Sequence, residues 1–163
     1  MGCALGMLFV GCGGGTDVTA DIQARLVGTY TWDVSVFGPG AKQVSYASPA
    51  GWWVIDSSAD GGATWCRSWN TWVIQNPVSQ DEFEIVNTVA YESSCKDAKA
   101  GEKATLKAQK TADSPLTFKL AAMQAGKDPS AWKWIPFKQC NADFNNLDVC
   151  GVTTGMGAPK QAP

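Results

Sequence analysis

The residues of this chain that could do chemistry are its cysteines, tryptophans and carboxylates, because histidine is absent. Without an imidazole there is no His general base, proton shuttle or metal ligand, and Ser-His-Asp and Cys-His catalysis are excluded. A zinc site would have to be all cysteine, and no C-x-x-C pair occurs. No metal and no cofactor is therefore expected. Asp81, Glu82 and Glu84 form the one carboxylate run that glycosidase acid–base chemistry could use. More often such a run is the solvated start of a strand. The expectation is a protein that binds and is not an enzyme.

The cysteines divide into two groups. Cys12 closes the stretch Phe9-Val10-Gly11-Cys12, which follows an apolar run from Ala4 and precedes three glycines. This start resembles the lipobox of bacterial lipoproteins. The resemblance implies a signal-like segment over 1–11, lipidation of Cys12, and a tether over 12–24. It also implies an exported protein held by its lipid at the bacterial cell envelope, on the outer membrane or cell surface, with the membrane as partner. A second reading of the same end takes Met1-Gly2-Cys3 as a myristoylation and palmitoylation start, but Gly6 stands where that motif takes Ser or Thr. No apolar run approaches the about 18 residues of a membrane-spanning helix.

The second group is Cys66, Cys95, Cys140 and Cys150. An even number in an exported chain implies two disulfides, with three possible pairings. Cys66–Cys95 and Cys140–Cys150 are favoured, because each closes a modest loop between neighbouring elements. Bridges of this loop size contribute roughly 3 kcal/mol each in a chain-entropy description. The alternative is four free buried thiols in a reducing compartment.

The elements that must position these residues alternate with period two. Tyr30, Trp32, Val34 and Val36 share one parity, opposite Thr29, Thr31, Asp33 and Ser35. That is a strand with one buried face. Further strands follow at Val44 to Tyr46, Trp52 to Ile55, Thr64 to Ile74, Phe83 to Tyr91, Leu106 to Ala108, Leu116 to Leu120 and Trp132 to Phe137. Gly and Pro turns such as Gly38-Pro39-Gly40 and Pro49-Ala50-Gly51 separate them. Asp21 to Leu26 is long enough for one helical turn before the first strand. Lys96, Lys99, Lys103, Lys107 and Lys110 also lie at helical spacing, as a short basic helix or a solvated face. The expected fold is all-β: a disulfide-stapled antiparallel barrel of about eight strands, lipocalin-like, or a β-sandwich. The β domain spans 25–150, and the Gly/Pro-rich residues 151–163 are expected to be a disordered tail. At 163 residues a single domain with a true core suffices. The net charge of −2 lacks the basic excess of a nucleic-acid binder.

Ser58-Ala59-Asp60-Gly61-Gly62-Ala63-Thr64-Trp65 matches S-x-D-x-G-x-T-W at each fixed position. It resembles an Asp-box, the hairpin motif of sialidase-type β-proteins. Asp60 can accept from turn amides, the glycines permit the tight reversal, and Thr64 and Trp65 begin the return strand. The resemblance implies a structural hairpin formed by Ser58, Asp60, Gly62, Thr64 and Trp65. It does not imply sialidase activity, since one copy is present and a propeller needs more strands than this length supplies. Asp56-x-Ser58-x-Asp60-Gly61 also resembles half of an EF-hand loop, but its twelfth position is Arg67 and not Glu.

Eight tryptophans are the remaining resource. Leu26-Val27-Gly28-Thr29-Tyr30-Thr31-Trp32 resembles the opening G-x-W strand of lipocalins. That resemblance implies a cavity for one small apolar ligand lined by Tyr30 and Trp32; otherwise these rings fill a closed core. Trp52-Trp53 and Trp132-x-Trp134 support a second possibility. Neighbours on a strand face opposite ways, so Trp52 and Trp53 cannot both enter one core. An outward ring can stack on carbohydrate or anchor an envelope protein. A third possibility is a structural subunit of an envelope assembly.

Overall fold

The computed structural model describes residues 17–91, 94–95 and 99–159. Helix α1 (Val18–Arg25) leads into eight strands: β1 (Gly28–Trp32), β2 (Lys42–Ala47), β3 (Trp52–Ser58), β4 (Cys66–Ser79), β5 (Glu82–Val89), β6 (Lys103–Asp113), β7 (Leu116–Ala122) and β8 (Ile135–Asn141). Each strand pairs antiparallel with the next, and β8 pairs with β1, so the sheet closes into a barrel. The sandwich alternative is thereby eliminated. Closure removes every sheet edge, which suits a chain whose strands are rich in Thr, Val and Trp. It occurs at Gly28, where a Cβ would lie 2.3 Å from the Asn141 carbonyl oxygen. Only glycine lets β1 and β8 meet there.

One end of the barrel is plugged. Asp17 caps α1, its carboxylate accepting from the Thr19 amide at 3.0 Å. Ile22 and Leu26 then enter the barrel core. The helix begins at Val18, so the last residues of the expected tether 12–24 belong to the fold. Residues 12–16, Cys12 among them, and the signal-like segment 1–11 lie outside the described residues.

The alternation read from sequence locates the strands, with their ends displaced: β4, expected over Thr64 to Ile74, runs from Cys66 to Ser79, and β6 extends beyond Leu106 to Ala108 at both ends. β1 stops at Trp32, because a 3-10 turn over Ser35–Phe37 follows. Val34 is still buried, but Val36 is exposed. β5 stops at Val89, so Tyr91 lies beyond it. β8 begins at Ile135 and not at Trp132, since Pro129–Ala131 forms a 3-10 turn capped by the Asp128 carboxylate. The helically spaced Lys103, Lys107 and Lys110 sit on strand β6. Lys107 pairs with Glu82 at 2.9 Å and Lys110 with Asp81 at 2.7 Å, so ion pairs to the start of β5 account for these two lysines without a helix. Lys96 lies outside the described residues.

Cys66 is bonded to Cys95, and Cys140 to Cys150. Two such bridges are those of an oxidising, non-cytoplasmic environment. Cys140–Cys150 launches the C-terminal segment across the outside of the barrel. Val149 packs there on Val44, Tyr46 and Val54 of β2 and β3. Residues 151–159 are therefore not a disordered tail. Gly151, Gly155 and Gly157 take φ of 80°, 70° and 74°, the left-handed region that glycine adopts freely, and the Arg67 guanidinium donates to Met156 O at 3.4 Å and to Gly157 O at 2.9 Å. Residues 160–163 lie outside the described residues.

Candidate functional site

The barrel interior has a filled half and an open half. Toward α1 it is aromatic and filled. Tyr30 stacks on Phe137 with centroids 4.0 Å apart, and Phe137 meets Trp32 and Trp53 edge-on at 4.7 and 5.6 Å. Phe83 and Phe118 close the other side at 5.3 Å. The Tyr30 hydroxyl donates to Leu26 O at 2.9 Å and accepts from Gln139 Nε2 at 3.2 Å. Burial pushes its pKa far above the ordinary tyrosine value. The cavity left among Leu26, Ala47, Trp53, Trp72, Ile85 and Phe137 holds about 10 Å³. A single water sphere is about that size. An apolar ligand lined by Tyr30 and Trp32 therefore has no room: Tyr30 is core, and Trp32 is locked by stacking on Trp53 and by donating to Ser45 Oγ at 2.9 Å.

Toward the other end the interior opens into a cup of about 520 Å³. Its wall comes from the inward positions of four successive strands: Gln43 on β2, Ile55 and Ser57 on β3, Ser68 and Asn70 on β4, and Asn87 and Val89 on β5. The strands alternate throughout, so the same inward parity that delivers Trp53 and Trp72 to the sealed half delivers amides and hydroxyls to the open half. Val34 and Phe37 of the β1–β2 connection line the mouth, with Lys42, Glu102 and the Cys66–Cys95 bridge.

The cup floor has a fixed hydrogen-bond order. Asn70 is 2% exposed. Its Nδ2 donates to Trp53 O and to Ser68 Oγ, both at 3.1 Å. Its Oδ1 must therefore face Asn87, whose Nδ2 reaches it at 3.5 Å. This chain sets the orientation of both amides and leaves Asn87 Oδ1 buried with no hydrogen-bond partner. Such an orphan acceptor is a rarity that calls for a donor. No sequence signal singled out Asn70, Asn87 or Gln43. Their common address depends on register across four strands, which spacing within one strand does not report.

The tryptophan pairs separate as strand geometry requires. Trp53 faces inward and is 3% exposed, so it is packing and not a binding surface. Trp52 faces outward, stacked on Tyr91 at 5.9 Å with Trp69 edge-on at 6.4 Å. Trp134 is held by donating to Pro129 O at 3.2 Å and lies under Lys119 Nζ at 4.6 Å from its ring. Trp132 borders a separate outer groove of about 560 Å³ with Gln75, Glu84 and Lys103.

The carboxylate run is engaged elsewhere. The Lys110 hydrogen bond holds Asp81 below its ordinary pKa, and the Lys107 hydrogen bond does the same for Glu82. Both act against the raised pKa that a general acid needs. Glu84 accepts from Asn76 Nδ2 at 2.8 Å and Gln75 Nε2 at 3.3 Å.

Residues 58–65 connect β3 and β4 in a tight turn. Asp60 accepts from Thr64 N at 2.9 Å and from its hydroxyl, and Ser58 Oγ accepts from Gly62 N at 2.9 Å. Gly61 and Gly62 have φ of 77° and 98°, and Trp65 Nε1 donates to Gly62 O at 3.0 Å across the turn. The Thr64 hydroxyl and amide, then the Ser58 hydroxyl, hold the Asp60 carboxyl far below the usual carboxylate range. A depressed carboxylate contributes stability that is complete above the unfolded pKa of about 4 and is lost as pH falls toward the folded value. Asp60→Ala should therefore lower the melting temperature at neutral pH by an amount that shrinks below about pH 4. Melting curves of both proteins from pH 7 to 3 measure this. A difference that stays constant over that range would mean the Asp60 charge contributes nothing to the turn.

Asp56 and Arg67, at the first and twelfth positions of the EF-hand-like half-motif, lie on the outer wall and bind each other. Arg67 Nε donates to Asp56 Oδ1 at 2.6 Å and Nη2 to Oδ2 at 2.8 Å, with Thr154 Oγ1 adding a third donor at 2.9 Å. No group of three or more His, Cys, Asp or Glu arranged to hold a metal ion occurs among the described residues. No protein-family model, curated protein or solved structure matches the chain.

Proposed function

We propose that this is an exported, lipid-anchored binding protein that takes a small ligand into the open half of its barrel and catalyses no reaction. The observation that carries the reading is the division of the interior. The aromatic half is closed to about 10 Å³, while the other half is an open cup of about 520 Å³ whose amides and hydroxyls are set among a larger apolar surface. Sites of this size, concave and held on rigid strands, are the usual places for small-molecule recognition. The filled half gives the cup a rigid base and moves the expected ligand from the closed interior to the open end of the barrel. The disulfides fit the exported location that the lipobox-like start implies.

Native mass spectrometry of the protein purified gently from a bacterial envelope tests both parts. The expected result is a chain beginning at an acylated Cys12, carrying a small-molecule adduct that Ser57→Trp removes by filling the cup. An unmodified Cys12 would overturn the anchor. An adduct that persists in Ser57→Trp would overturn the cup.

A second reading rests on the outer wall. Trp52, Trp69 and Tyr91 form a partly exposed aromatic cluster there, suited to stacking on carbohydrate or to contact within an envelope assembly.

A further inference from the structure

The geometry points to a neutral, hydroxyl-rich ring of monosaccharide size as the ligand of the cup, an inference that rests on the cup being the binding site. Three features of the wall argue for this class.

The first is charge. The inward groups of the wall are uncharged, the amides and hydroxyls of Gln43, Ser57, Ser68, Asn70 and Asn87 with Ile55 and Val89 among them, and the charged lining groups are Lys42, at the first position of β2, and Glu102, just before β6. An ion entering the cup would give up hydration without meeting a counter-charge inside, which is costly. A neutral ligand avoids that loss.

The second is the donor–acceptor pattern. Asn87 Oδ1 is buried and unpartnered, and the Asn70–Asn87 order prevents it from turning to a protein donor. Its surface is closed to solvent, so a ligand O–H or N–H reaches it only with a small shift of the Asn87 amide toward the cup. Gln43 and Ser57, on the neighbouring strands, make no side-chain hydrogen bond among the described residues, and each offers both a donor and an acceptor. Hydroxyl groups, which donate and accept, can meet all three positions.

The third is the apolar component. Ile55 and Val89 line the same wall, and Phe37, 64% exposed, stands at the mouth. A sugar ring presents apolar C–H faces as well as a polar rim, and aromatic and aliphatic surfaces take up those faces. A purely apolar ligand would leave the Asn87 acceptor unsatisfied.

Side-chain amide NMR of the full chain, titrated with glucose and N-acetylglucosamine, is the test. Glucosamine and glucuronate supply charged analogues, and cyclohexylmethanol an apolar one. The expected result is movement of the Asn87 and Asn70 side-chain signals by the neutral sugars, with the charged and apolar analogues at least about tenfold weaker. Gln43→Leu, at the partly exposed side of the cup, should weaken the sugars by about tenfold while leaving the melting temperature unchanged. Equal or tighter binding of a charged or apolar analogue at these signals would overturn the sugar class and leave the cup reading intact. So would silence of every probe while Ser57→Trp still removes the native adduct. Sugar binding that survives Ser57→Trp and moves signals only on the outer wall would instead overturn the cup itself.

Discussion

Asp56→Ala should destabilise the protein by about 3–5 kcal/mol, the usual cost of stranding a buried charge by removing its partner. Asp56 is 0% exposed and Arg67 8% exposed, and both sit on the outer wall of β3 and β4 beneath the C-terminal segment. Burial works to lower the Arg67 pKa, but the hydrogen bond and charge of Asp56 outweigh it and leave the guanidinium more firmly protonated than usual. Arg67 cannot discharge when its partner is removed, so the penalty falls on folding. The guanidinium also lies over Tyr46 at 5.7 Å and donates to Gly157 O, so the pair joins the barrel to the segment that crosses it. Urea unfolding of Asp56→Ala measures the loss, and hydrogen exchange should show residues 151–157 opening first. The double variant Asp56→Leu with Arg67→Leu should recover much of it, because an apolar pair leaves no charge stranded. A cost for Asp56→Ala under about 1 kcal/mol would show that the pair behaves as an exposed one.

Trp53→Ala should cost a similar about 3–5 kcal/mol, and Trp52→Ala only about 1–2 kcal/mol. The two residues are adjacent in sequence and opposite in role. Trp53 fills the barrel between Trp32 at 5.4 Å and Phe137 at 5.6 Å, and its removal opens a cavity in a region that now has about 10 Å³ to spare. Trp52 loses contacts with Tyr91 and Trp69 on a partly solvated face. Denaturant midpoints for both variants, with unchanged denaturant slopes, decide the order. Equal costs would mean that the outer aromatic cluster is a second core and not a surface available to partners. If Trp52 anchors a partner, affinity should fall by about 2 kcal/mol or more in Trp52→Ala with little further effect on folding.

Much of the barrel is legible from parity alone. Alternation in Tyr30 to Trp32, Val44 to Tyr46 and Phe83 to Ile85 identifies strands because one face of each must be dry, and the intervening glycines and prolines state where each strand turns back. The cysteine pairing follows from the same economy, since each bridge joins segments that short turns already bring near. The adjacency of Trp52 and Trp53 determines that one ring leaves the core, although not which.

What parity cannot report is where a residue lies along the barrel axis. Tyr30 and Trp32 share an inward face with Gln43 and Asn87, yet the first two belong to a filled aromatic half and the last two to an open cup. The stagger of eight strands and the entry of Ile22 and Leu26 into the core decide that difference. The C-terminal segment is the other case. Gly and Pro composition from Gly151 onward signals a flexible tail, because composition measures only what the segment can bury by itself. Its order comes from elsewhere: an apolar outer wall at Val44, Tyr46 and Val54, and a guanidinium at Arg67 whose remaining donors meet the Met156 and Gly157 carbonyls. Those partners lie about ninety residues away along the chain, and only the closed barrel brings them together.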